Sequence, residues 1–93
     1  MIIGLLVLDL HLPHARSLKD KRRELNRIRD RVRKKFNAAY AELDFQEAWQ
    51  RSRVGIVTLN SQQKLVEEQL RAVFRDVEQV FNGETVVADL RFF

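Results

Sequence analysis

Residues 17–36 read SLKDKRRELNRIRDRVRKKF, and their spacing predicts one long amphipathic helix. Ser17 followed three residues later by Asp20 is a capping-box-like start: a hydroxyl for an orphan amide, then an acid three residues on. Asp20 and Glu24 stand near the positive end of the helix dipole, and Arg33, Lys34 and Lys35 crowd its negative end, which favours both signs. Leu18, Leu25, Ile28, Val32 and Phe36 recur at the helical period and face a core. Lys21 falls inside that apolar stripe, so its ammonium must snorkel outward or meet a carboxylate. Arg23, Arg27, Arg31 and Lys34 lie on the opposite side, about one turn apart.

From Arg16 to Lys35 there are eleven basic and three acidic residues, a local charge of +8 against +4 for the whole chain. The remainder is therefore net acidic, and the positive charge is concentrated on this helix. A like-charged row repels itself, and Asp30 is spaced to relieve Arg27, Arg33 and Lys34. The face is either solvated surface held by ion pairs or a surface for anions. Arginines outnumber lysines twelve to five, which suits phosphate and bidentate contacts.

On the N-terminal side of the helix, Met1–Leu12 reads as a strand. Ile2, Gly4, Leu6, Leu8, Leu10 and Leu12 fall on one face and Ile3, Leu5, Val7, Asp9 and His11 on the other. Apolar residues on both faces mark a central strand, which Pro13 ends. On the C-terminal side, Asn37–Gln46 alternates like a half-exposed edge strand. Glu47–Ser52 is a connection holding Trp49. Arg53–Leu59 is a third strand, in which Gly55 marks a bulge or a close approach. Asn60 with Gln63 resembles a second capping box, opening a helix to Phe81 or Asn82. That helix has an apolar face of Val66, Leu70, Val73, Val77, Val80 and Phe81. Gly83 is placed for a left-handed cap, and Glu84–Phe93 is the last strand.

The order strand, helix, strand, strand, helix, strand predicts an α+β, ferredoxin-like βαββαβ fold. Its four-stranded antiparallel sheet takes the order 4-1-3-2, with both helices on one face. Ninety-three residues, 45% of them hydrophobic, make a single domain, 1–93, with enough core to fold without staples. The chain has no cysteine, hence no disulfide framework, thiolate metal site or cysteine nucleophile. Asp9 and His11 interrupt the apolar N-terminal run and no basic segment precedes it. It therefore reads as neither a signal peptide nor a membrane span, and a cytoplasmic protein is expected.

PHARSLKDKRREL at 13–25 and RVRKKFNAAYAELDFQEAWQRSRVGIV at 31–57 together resemble the YlxP-like family of small bacterial proteins of unknown function. The core of the likeness is SLKDKR, Ser17 to Arg22, followed at suitable spacing by Phe36–Asn37, Ala41–Glu42 and Trp49–Arg51. The resemblance spans essentially the whole chain. It implies a ferredoxin-like fold, a cytoplasmic location and, from the translation and ribosome-maturation genes that neighbour members of the family, a link to RNA. Many members have a histidine directly before SLKDKR; here Arg16 holds that place and the histidine is His14.

Several constellations bear on chemistry. His11 and His14 have an H-x-x-H spacing, but only Asp9 offers a third ligand and no helix presents both, so no metal site is expected. Arg16 and the amides of Ser17–Lys19 surround a helix start suited to anions. A small phosphate-ester or acyl-phosphate hydrolase is the enzymatic reading of that start. Pro13 stands where a phosphate cradle wants glycine, so no catalytic residue, cofactor or small-molecule substrate is assigned. Trp49, Phe45 and Tyr40 could stack bases, but burial at a core edge or interface is the expectation for Trp49. The two central strands, Met1–Leu12 and Arg53–Leu59, hold no aromatic residue, against an RNA-recognition-motif mechanism.

The leading expectation is a non-enzymatic, RNA-binding or ribosome-associated protein. Arg23, Arg27, Arg31 and Lys34 would be the main phosphate contacts and Arg16, Lys19 and Arg22 secondary ones. The alternative is a homodimeric protein-interaction module without nucleic-acid binding. Two helices cover one sheet face only, and the apolar second face predicts a homodimer with Leu5 and Val7 in the contact and Tyr40 or Phe93 at its rim. A monomer whose Glu47–Ser52 connection and Trp49 cover that face is the other possibility. No membrane partner is expected.

Overall fold

Leu6, Leu8 and Leu10, at alternate positions of the first strand, set the layer structure. In the computed structural model, which describes all residues from Met1 to Phe93, the chain runs β1 (Ile2–His11), α1 (Leu18–Lys35), β2 (Ala39–Asp44), β3 (Arg51–Asn60), α2 (Gln63–Val80) and β4 (Glu84–Phe92). The strands form one antiparallel sheet in the order β2-β3-β1-β4, the expected order read from the other edge. Leu6, Leu8 and Leu10 of β1 and Val54 and Ile56 of β3 are buried with Leu25, Ile28 and Val32 of α1 and Val66, Leu70, Val73 and Val77 of α2. Both helices therefore cover the same face, and the fold is the ferredoxin-like α+β sandwich. Neither helix is long and apolar enough to cross a membrane.

Several local expectations are corrected. β3 begins at Arg51 and runs through Asn60, so the β2–β3 connection is residues 45–50. Asn60 does not cap α2: its Oδ1 accepts the Ser61 amide at 2.7 Å, and Gln62 holds the cap position without a side-chain bond. Gly83 makes no left-handed cap, since no glycine has positive φ. Glycine is required there because a Cβ would run into the His11 carbonyl oxygen as the chain enters β4.

Tyr40 is not at the rim of the uncovered sheet face. It is buried on the helix side as part of the core, because the alternation of β2 turns the small Ala39 and Ala41 outward and the ring inward. Bulges break the simple alternation of both edge strands. In β4 the register skips Ala88, so Val87 pairs with Leu8 and Asp89 with Val7, which puts Val87 on the helix side. In β2 the register skips Leu43, whose side chain lies over Gly55 where any Cβ would meet it. That is the close approach expected at Gly55.

Candidate nucleic-acid interface

The basic helix is fixed at its start by its own sequence. Ser17 Oγ accepts the Asp20 amide at 3.1 Å, and Asp20 Oδ2 accepts the Arg16 amide at 3.0 Å. The first bond satisfies an amide that the first turn leaves open, and the second ties down the amide of the residue just before the cap.

Lys21, the second lysine of SLKDKR, is buried and turned into the protein. Its Nζ donates to the carbonyls of Phe45 (2.6 Å) and Ala48 (2.7 Å) and lies 3.1 Å from Glu42 Oε2. Ser52 Oγ donates to the same carboxylate oxygen at 2.7 Å. Gln50 holds the other side of this loop, with its Nε2 donating to the carbonyl of Ala15 at 3.1 Å. The β1–α1 and β2–β3 loops are thereby locked together beside the N-terminal end of α1.

Trp49 rides on this locked loop and is 53% exposed, contrary to the burial expected for it. Phe45, in the left-handed region at φ 65, is stacked under Arg51, with the guanidinium carbon 4.0 Å from the ring centre. Tyr40 is buried with no partner for its hydroxyl, and burial pushes its phenol pKa up. Of the three aromatic candidates, only Trp49 is presented to solvent.

Along α1 the cations divide into three stripes. On the α2 side, Arg31 makes a two-bond contact with Asp76 (2.7 and 2.9 Å), and Lys35 Nζ reaches the same carboxylate at 2.6 Å. Asp76 is buried, and the Arg31 hydrogen bonds, aided by Lys35, hold its carboxyl down to about 2. Arg27 on the same side pairs with Glu24 and donates to the Val80 carbonyl at 2.8 Å. The expected contacts Arg27 and Arg31 are thus engaged within the chain and join α1 to α2.

On the β2 side, Arg22, Asn26, Arg29 and Arg33 line a groove of about 240 Å³ above Tyr40 and Glu42. Arg29 pairs with Asp30, which takes this neighbour in place of the Arg27, Arg33 and Lys34 expected. On the crest between the stripes stand Lys19, Arg23 and Lys34. Arg16, Lys19, Arg22, Arg23, Arg33 and Lys34 have no carboxylate partner, and all six are exposed. Sequence reasoning missed Asp76, which pattern counts among the polar residues of α2. It also missed the groove residues Asn26, Arg29 and Arg33, although their spacing from Arg22 is one helical stripe.

A two-layer ferredoxin-like domain carrying its surplus positive charge on one helix is thus the class of protein at hand. The chain belongs to the family described as "Protein of unknown function (DUF503)", whose profile matches residues 3–90. It is similar to the uncharacterized protein YlxP of Bacillus subtilis (strain 168), at 32% identity over 92 residues covering 99% of this chain and 100% of that protein.

Proposed function

We propose that the protein is a non-enzymatic RNA-binding protein that holds phosphates with the unpaired cations of α1. One observation carries this reading. Asp76, Glu24 and Asp30 occupy Arg27, Arg29, Arg31 and Lys35, while Lys19, Arg22, Arg23 and Lys34 are exposed without a counter-charge. Cations held for stability alone would be expected to find partners among the acids of α1 and α2. A face of this kind reads charge and shape, not base sequence. Trp49, beside the start of the same helix, adds a platform on which one unstacked base can lie.

Ribosomal RNA is the first target to test. Four phosphate contacts give a slope of about −3 to −4 in log K against log salt. Replacing Lys19, Arg22, Arg23 and Lys34 together by Ala should abolish binding at low salt while leaving the thermal transition in place. Binding that ignores salt, or survives the fourfold substitution, overturns the proposal. Protein partners retained from lysate after nuclease treatment would favour a protein-interaction module instead.

A further inference from the structure

The sheet face opposite the helices carries an apolar band that nothing in the chain covers. By register, Ile3 stands between Leu59 and Phe93, and Leu5 between Val57 and Arg91. Leu43, thrown sideways by the β2 bulge, adds its side chain over Gly55. Leu59 is 57% and Phe93 65% exposed. The β2–β3 connection does not close over the band: Lys21 and Gln50 tie that loop to the β1–α1 end.

We infer that this face is occupied by a second copy of the chain, packed sheet to sheet about a two-fold axis. The first reason is electrostatic. Two pairs of charges at the border of the band are matched inside the chain. Asp9 takes Arg53 through two bonds of 2.7 and 3.1 Å, and Arg91 lies 2.6 Å from Asp89. A polyanion finds little free positive charge here: Arg51, the one arginine of this face without a carboxylate partner, is stacked on the Phe45 ring, and the basic helix α1 lies on the far side. An occupant that is itself apolar and internally neutral fits, and the same face of another copy is such an occupant.

The second reason is the number of large apolar side chains left exposed. Leu43, Val57, Leu59 and Phe93 are all large hydrophobic residues left exposed on this face, more apolar surface in one place than a soluble monomer usually leaves wet. The third reason is that the edges are blunted. Both edge strands carry a bulge, a device that twists an edge away from strand-to-strand pairing. Association through the face is the route left open. A two-fold operation lays the band of one copy on that of the other and keeps the Asp9–Arg53 end out of the apolar contact. It also leaves α1 of each copy outward, so the arrangement holds whether or not α1 binds RNA.

The chain has no cysteine, so single-cysteine variants report contacts cleanly. Sedimentation at micromolar concentration should give a species of twice the 11.0 kDa chain mass. The double variant Leu59→Glu with Phe93→Glu alters two exposed side chains and should remain folded by circular dichroism while sedimenting as a monomer. A short bis-maleimide should link Val57→Cys into a covalent dimer but not Lys34→Cys on α1 or Ala88→Cys on the β4 edge. A wild-type species at 11.0 kDa across that range overturns the inference and gives the face to a partner of another kind. An assembly that survives the double substitution, or that links through Ala88→Cys, also overturns it.

Discussion

Lys21 Nζ lies 3.1 Å from Glu42 Oε2, with the lysine side chain only 2% exposed and the glutamate 28%. A charged residue at the centre of the SLKDKR motif is therefore structural: it fastens β2 and the loop after it onto the first turns of α1. Lys21→Ala leaves two carbonyls and a half-buried carboxylate without their donor. The expected loss is about 3 kcal/mol, a fall in Tm on the order of 15 °C, measurable by thermal and urea unfolding. Glu42→Gln should cost only about 1 kcal/mol, because the amide oxygen still accepts from Lys21 and Ser52.

Asp76 gives the fold a defined acid sensitivity. Its carboxyl is held down to about 2, from an ordinary 3.8, chiefly by the Arg31 hydrogen bonds. A folded-state pKa below the unfolded value contributes stability that is complete above the unfolded value and lost as pH falls through about 2. The contribution is about 2 kcal/mol. Asp76→Asn should therefore lower urea-unfolding stability by about that amount near neutral pH. The gap to wild type should close as both are taken down to about pH 2; a gap that stays constant would show that the carboxylate charge is not what joins α1 to α2.

The element order and the sheet order were legible because β1 is apolar on both faces and each helix keeps its period. The conflict at Lys21 was legible too, since a lysine in an apolar stripe needs a partner. Its partner Glu42 was not, because that contact is long-range and depends on how β2 sits against α1. The facing of Tyr40 was obscured by alanines on both sides of β2, whose alternation carries little hydrophobic contrast. The bulges at Leu43 and Ala88 leave no mark in residue type, yet each decides which side chains reach the open face. Among the cations, one row could be drawn by periodicity, but which members are free depends on Asp76, a residue of the other helix.

That division makes a prediction about pairs of arginines. Arg31→Ala removes a partner of a buried carboxylate and should cost about 2–3 kcal/mol of stability. Arg23→Ala removes an exposed, unpaired cation and should change stability by less than about 0.5 kcal/mol. In RNA binding the order reverses: Arg23→Ala should reduce the magnitude of the salt slope by about one, and Arg31→Ala, measured where it is still folded, should leave it nearly unchanged. Unfolding curves and salt titrations of the two variants separate the roles.

The glycines offer a test of the packing itself. At Gly83 the obstacle to a side chain is the backbone oxygen of His11, with the Phe81 ring next to it at 2.8 Å. Neither gives way cheaply, since His11 is hydrogen-bonded into the sheet and Phe81 belongs to the core. At Gly55 the obstacle is Leu43 Cδ1, at 2.8 Å from an added Cβ, the far end of an exposed side chain that can rotate. Gly83→Ala should therefore destabilise by about 2–3 kcal/mol, against about 1 kcal/mol or less for Gly55→Ala. Gly55→Ala should also displace Leu43 from the open face and so weaken any dimer, whereas Gly83→Ala should lower stability without changing the dissociation constant of the folded protein. Unfolding by urea and sedimentation of both variants measure the two effects. Equal losses of stability would mean that the chain entering β4 is free to move away from the end of β1.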